Sequence, residues 1–343
     1  MAVRVGVNGY GRIGRSFHRA LLDRGESAGV ELVAVNDPFG DSETMAFLLK
    51  HDSVGGTIPN EVKVSNGGFS VDGKEVKKLE VREPAEIPWG DHGIDVVIES
   101  TGVFTARDAA AGHLQGGAKK VIISAPSGDA DVTLCIGVND DAYDPAKHQV
   151  ISNASCTTNC LAPMVRVLHD KFTIEQGLIN TVHSYTSDQA LQDIAQTSRK
   201  GKADLRRMRA AALSIIPAST GAAKAIGLVL PELKGKLDGT SMRVPTPTGS
   251  ITDLVAVLNE SAGVDDVNEA FAAAANDASY KGVLTYTDEP LVSADIVGNP
   301  ASCIFSAKDT MANGKMVKVL GWYDNEWGFS NRLVDLAAFL GES

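Results

Sequence analysis

Cysteine is scarce, with four in 343 residues: Cys135, Cys156, Cys160 and Cys303. That is too few for a disulfide framework, and with no signal peptide or long apolar segment at the start, free thiols in a reducing cytoplasm are expected. No run of about 18 apolar residues occurs, so no membrane span is expected. Repeats and low-complexity tracts are missing too, and the Ala-rich "FAAAANDA" reads as a helix segment. Positive charge is in deficit. A formal net charge of -11 argues against non-specific binding to nucleic acid or to an anionic membrane. The cluster "SRKGKADLRRMR" runs against that balance, and an acidic chain with one basic patch suits a small anionic ligand. No further Cys or His stands at zinc-ligand spacing near Cys156 and Cys160, so no metal is expected. What the chain does have is apolar residues, 43% of the total, enough for two cores and hence two domains at this length.

The opening "AVRVGVNGYGRIGRSFHRALLDR" reads as strand, tight turn and helix, with Ile13, Phe17, Leu21 and Leu22 at helical spacing. Gly9, Gly11 and Gly14 match G-x-G-x-x-G. The first glycine makes the turn, the second lets backbone approach a pyrophosphate, and the third lets helix pack on strand. The pyrophosphate then meets the free N–H groups and positive pole of the helix N-terminus. A second strand, "VELVAVND", ends in Asp37, where a carboxylate accepts from the adenosine ribose hydroxyls and disfavours a 2′-phosphate; as a turn acid before Pro38 it would need no ligand. "DVVIES" and "KKVIISAP" continue the series of short apolar strands, as a doubly wound parallel sheet requires.

"SNASCTTNC" follows another strand-like run and opens a helix, with Ser155 as N-cap and Cys156 at the N-terminus. A thiolate there meets the positive end of the helix dipole, which lowers its pKa, whereas Cys160 lies a turn further in and reads as a small buried hydrophobe. His183, at the end of the strand-like "LINTVHS", is the candidate base. One of seven histidines is by itself an ordinary residue, and spacing alone does not bring Cys156 and His183 together.

Six ordered stretches, "NGYGRIGR", "SNASCTTNC", "HSYTSDQ", "IIPASTGAAKAIG", "LPELKGKLDGTSMRVPTPTGS" and "GWYDNEWGFSNR", together resemble the phosphorylating glyceraldehyde-3-phosphate dehydrogenase family over essentially the whole chain. The resemblance implies an α/β fold, a Rossmann-type doubly wound parallel sheet plus an α+β catalytic domain with a mixed or antiparallel sheet. It places the NAD-binding domain at 1–155, completed by a C-terminal helix at 325–343, and the catalytic domain at 156–324. Cys156 is then the nucleophile and His183 the base. Thr186, Asp188, Arg207 and Arg243 match the site for the substrate C3 phosphate, with Arg206 against Arg207 left open. Ser155, Thr157, Thr220, Gly221 and Arg243 match the inorganic phosphate site. For NAD, the match assigns Asn8, Gly9, Arg12 and Ile13 to the pyrophosphate turn, Asp37 to the ribose, Arg82 to the adenine, Ser124 to the linking phosphates and Asn325 to the nicotinamide carboxamide. Glyceraldehyde 3-phosphate and inorganic phosphate are the implied partners, in a homotetramer.

Three places depart from the family's wording: "HDSVGGTIPN", Phe329 in place of a usual tyrosine, and the longer segment "DQALQDIAQTSRKGKADLRR". The last, with Ser198, Arg199, Lys200 and Lys202, bears on NAD against NADP, since its hydroxyl and positive charges suit a 2′-phosphate that Asp37 repels. An erythrose-4-phosphate dehydrogenase is the nearest alternative, a redox-sensing paralogue with a vestigial site the alternative from another class, and an isoform tolerant of a thiol-directed inhibitor a further one.

Overall fold

The computed structural model describes residues 2–195 and 204–342, so Ser198, Arg199, Lys200 and Lys202 lie outside the described residues. The chain divides into two compact units: Met1–Leu134 with Asp141–Ala154 and Ser330–Ser343, and Cys135–Asp140 with Ser155–Phe329.

The first unit is built on a nine-stranded sheet. Its opening strand, Val3–Asn8, buries Val3, Val5 and Val7, and the β-branched alternation there suits a strand covered on both faces. Parallel partners flank it, Val30–Asn36 on one side and Val96–Glu99 on the other. Beyond them the sheet continues parallel through Lys74–Leu79 on one side and through Lys120–Ile123, Val150–Ser152 and Val132–Thr133 on the other. Two antiparallel strands, Gly68–Val71 and Val62–Ser65, finish one edge. Strand order therefore reverses beside Val3–Asn8, and in open α/β sheets ligands bind at the carboxyl ends of the strands flanking such a reversal. Asn8, Asn36 and Glu99 are those ends.

The helix Arg12–Arg24 buries Gly14, Phe17, His18 and Leu21, with Ile13 and Leu22 only half-buried at the margins of the stripe. The C-terminal helix Trp327–Glu342 lies beside it, where Arg24 donates to Asn331 Oδ1 (2.8 Å) and pairs with Asp335, which also holds the buried Arg332.

The second unit carries a seven-stranded mixed sheet, in the order Ile216–Ser219, Leu237–Val244, Ile174–Ser184, Ser250–Leu258, Met316–Tyr323, Cys303–Asn313, Leu284–Thr287. Ser250–Leu258 and Met316–Tyr323 alternate buried and half-buried residues with period two, which gives one face to the core. The helix Cys156–Phe172 covers that face, together with Ala222–Val229 and Val264–Ala275. Its stripe from Thr157 through Leu168 is almost wholly buried, and Pro163 sits within it. All four cysteines are free thiols; Cys135, Cys160 and Cys303 are buried and Cys156 is half-buried. Among the described residues no helix is long and apolar enough to cross a membrane, and no cluster of three or more His, Cys, Asp or Glu is placed to hold a metal ion.

Candidate active site

Ser155 has extended backbone and its hydroxyl accepts from Thr158 N at 3.0 Å, the N-cap arrangement that starts the helix. Cys156 is thereby fixed as the first helical residue. Its Sγ lies 3.4 Å from His183 Nε2. The two come together because the helix N-terminus stands over the end of strand Ile174–Ser184, and the parallel register beside it pairs His183 with Arg243. His183 Nδ1 lies 2.7 Å from the Ser184 carbonyl and 2.9 Å from Arg243 Nη1, and in the tautomer whose Nδ1–H donates to that carbonyl the Nε2 lone pair is left for the thiol. Arg243 Nη1 donates to the same carbonyl (3.1 Å) and to Thr186 Oγ1 (3.1 Å).

The thiol is not acidified as the helix end leads one to expect. Burial pushes Cys156 up to about 11, outweighing Arg243 and the donors of Thr157, both its N–H and its hydroxyl. Burial also holds His183 down at about 3, with Arg243 adding repulsion, so at neutral pH the imidazole is uncharged and able to take a proton. The helix dipole still favours the thiolate at this position, but desolvation outweighs it.

Tyr323 and Thr181 escape a reading of the sequence. The buried Tyr323 hydroxyl sits 2.8 Å from both Thr157 Oγ1 and Thr181 Oγ1, and its ring meets His183 edge-on at 5.9 Å. A run of hydroxyls thus reaches the sulfur through Thr157. The available signal was the period of "MVKVLGWY", which turns Tyr323 to the same face as Val317 and Val319. Thr157, expected at the inorganic phosphate site, thus also meets Tyr323 and the sulfur.

Arg207 rather than Arg206 joins the cluster. Arg207 pairs with Asp188 and Asp204, whereas the exposed Arg206 side chain donates to the Pro217 carbonyl. Asp188 also accepts from Thr186 Oγ1, which links it to Arg243. Arg243 Nε is buried with no partner among the described residues, a donor that an anion would satisfy. Thr220 Oγ1 accepts from Ala222 N, and Gly221 stands at the N-terminus of Ala222–Val229 with nothing within 4 Å of an added Cβ. Asn325 is buried, and its Oδ1 already accepts from Ser250 (2.8 Å), so it offers a ligand its amino group rather than both ends of the amide.

In the first unit, the residues of the turn fit a dinucleotide. Gly9 has φ +89, and a Cβ there would lie 2.7 Å from Thr101 N; one on Gly14 would lie 2.4 Å from the Gly9 carbonyl. A Cβ on Gly11 meets nothing within 4 Å, so the space before the helix N-terminus is open. Asp37 accepts from Tyr10 N and Phe39 N, both at 2.9 Å, and each carboxylate oxygen keeps a lone pair for a hydroxyl. The Arg12 guanidinium is turned to Asp52 (2.9 Å), which leaves its backbone to the turn. Arg82 is exposed and lies over the Phe39 ring at 5.7 Å, and Ser124 Oγ donates to the Glu99 carbonyl (3.0 Å).

Comparison with known proteins agrees with these two constellations. Residues 3–107 match the model of the glyceraldehyde 3-phosphate dehydrogenase NAD binding domain, and residues 155–325 that of the C-terminal domain of the same enzyme. A glyceraldehyde-3-phosphate dehydrogenase of Streptomyces coelicolor is 58% identical over 342 residues, covering 99% of both chains. That of Mycobacterium avium is 57% identical over 347 residues and covers both chains fully. With both domain models matched in order and relatives of this identity along its whole length, the chain belongs to the glyceraldehyde-3-phosphate dehydrogenase family, NAD-dependent oxidoreductases with a Rossmann-type nucleotide-binding domain.

Proposed function

We propose that the chain oxidises D-glyceraldehyde 3-phosphate with NAD and inorganic phosphate to 1,3-bisphosphoglycerate through a thioester on Cys156. The observation that carries this reading is the 3.4 Å approach of Cys156 Sγ to His183 Nε2 beside the half-buried Arg243.

His183 takes the thiol proton as the sulfur attacks the aldehyde carbon and passes it to the carbonyl oxygen, so the C–S bond forms as the C=O double bond becomes C–OH and the imidazole is neutral again. The Cys156 backbone N–H, at the first position of its helix, donates to the developing oxyanion in this reading. His183 then withdraws the hydroxyl proton as the carbon loses hydride. NAD, when bound, supplies the hydride acceptor. A phosphate oxygen attacks the resulting thioester, the C–S bond breaks, and the thiolate leaves. Thr157, backed by Tyr323, steadies the sulfur when it is anionic.

Arg243, Arg207 and Thr186 hold the C3 phosphate, with Asp188 at the same site orienting Arg207 and Thr186. Ser155, Thr157, Thr220, Gly221 and Arg243 receive the inorganic one. Burial beside Arg207 lowers the pKa of Arg243, and a dianion relieves that strain on the charge. NAD is held by the Asn8–Gly14 turn with Asp37, Arg82 and Ser124, and by the Asn325 amino group. Residues 1–155 with 325–343 serve as the NAD-binding domain and 156–324 as the catalytic one. A homotetramer and a cytoplasmic location belong to the same reading, and the exposure of Leu191 (81%), Leu205 (77%) and Leu213 (85%) supports the first.

NADH formation from glyceraldehyde 3-phosphate is the test. It should require inorganic phosphate at every turnover, and Arg243→Leu should weaken use of both the sugar phosphate and inorganic phosphate. Phosphate-independent oxidation with faster use of erythrose 4-phosphate would favour the other dehydrogenase.

A further inference from the structure

Beneath the nucleotide turn lies a buried polar chain, Trp89, His113 and Glu99, that none of the assigned roles uses. Trp89 Nε1, which can only donate, is 3.0 Å from His113 Nδ1, so Nδ1 accepts and the imidazole proton sits on Nε2. That Nε2 is 3.0 Å from Glu99 Oε2. Asn8 Nδ2 donates to the same oxygen at 2.6 Å, and Thr101 donates to Oε1 through its N–H (2.9 Å) and its hydroxyl (2.5 Å). Glu99 is 2% exposed and His113 0%, so the carboxylate has traded water for four protein donors.

Those four bonds join the strand ends. Because Asn8 gives its amino group to Glu99, its Oδ1 faces Asn36 Nδ2 (2.7 Å), and Asn36 clamps the backbone of Val81, the neighbour of Arg82. The Glu99 carbonyl accepts from Ser124. Gly9 has no clearance over Thr101, whose N–H Glu99 holds, so the carboxylate sets the height of the turn. An apolar core would fill this space without the desolvation cost of a buried carboxylate; what the acceptor-only group adds is a fixed orientation for Asn8 and Thr101.

We infer that Glu99 is a positioning residue for dinucleotide binding, with His113 and Trp89 fixing its orientation from behind. The role rests on the reading of the Asn8–Gly14 turn as the NAD site. Loss of the donor behind Glu99 loosens the turn and weakens NAD binding while the chemistry at Cys156 continues.

Calorimetric titration of the full chain with NAD tests this, beside kcat at saturating NAD and the rate of Cys156 alkylation. His113→Leu and Glu99→Gln should each weaken NAD binding about 10–100-fold, the size of a lost hydrogen bond to a charged group, with kcat and alkylation little changed. His113→Gln, which keeps a donor for Glu99 and an acceptor for Trp89, should restore affinity close to that of the wild type. Trp89→Phe, a milder change, should give a smaller loss of the same kind. NAD binding by His113→Leu as tight as the wild type, no rescue by His113→Gln, or a fall of kcat in step with affinity would overturn the role. A wild-type chain that does not bind NAD would instead overturn the reading of the turn itself.

Discussion

At the scale of single residues, the two cysteines on one helix differ only in where the fold puts them. Cys156 is half-buried with Sγ facing a base; Cys160, one turn on, is fully buried and bonded to the Gly321 carbonyl (3.5 Å). Cys156→Ser should therefore abolish turnover, whereas Cys160→Ser keeps most of it at a cost of about 1–2 kcal/mol for placing a hydroxyl in a buried site. Equal loss of activity from both would contradict the assignment. His183→Asn should lower turnover by about 10²–10⁴ with the fold intact. Burial already sets the Cys156 thiol high, at about 11, so without its proton acceptor alkylation by iodoacetamide should slow at neutral pH and recover only as pH rises toward that value. An alkylation profile identical to the wild type would mean that the two groups do not share a proton.

At the scale of elements, much of the site was legible where local sterics or capping force a residue. The glycines at 9 and 14 have no room for a side chain, and Ser155 caps its helix by a bond to a near neighbour. The pairing of His183 with Arg243 was not legible, because it comes from parallel strands 60 positions apart, and nothing local encodes that register. Arg207 could not be told from Arg206 for a related reason: the segment is irregular, so no period assigns a face. The departure "HDSVGG" acquires a physical role at this scale. Burial opposes ionisation of Asp52, yet the Gly55 N–H, Arg12 and the Val54 N–H bring its pKa down to about 2. A depressed carboxyl pKa adds stability above the unfolded value of about 3.9, and that stability is lost as pH falls toward 2. Between pH 5 and pH 2 the melting temperature of the wild type should thus fall further than that of Asp52→Asn. Parallel loss in both would show that the Arg12 contact contributes nothing.

At the scale of the whole molecule, the division of labour is one unit with the dinucleotide turn and one with the thiol and its arginines. The parallel sheet announced itself through short apolar strands alternating with helices, and the second unit through motif order more than through any periodicity of its own. Cofactor choice belongs to this scale, because Asp37 and the basic segment near Arg199 pull in opposite directions. Asp37 is pinned by two backbone N–H groups at a strand end, so NAD should give the higher kcat/KM, and Asp37→Ala should narrow the gap to NADP. Equal use of the two cofactors by the wild type would shift the decision to that segment. The central claim, a thioester on Cys156 resolved by phosphate, is tested most directly by mass spectrometry of the protein mixed with NAD and glyceraldehyde 3-phosphate in phosphate-free buffer. A phosphoglyceroyl adduct should appear on the peptide containing Cys156, assigned to that residue by fragmentation, and should disappear when inorganic phosphate is added. An adduct on Cys160, one indifferent to phosphate, or none during NADH formation would contradict the account.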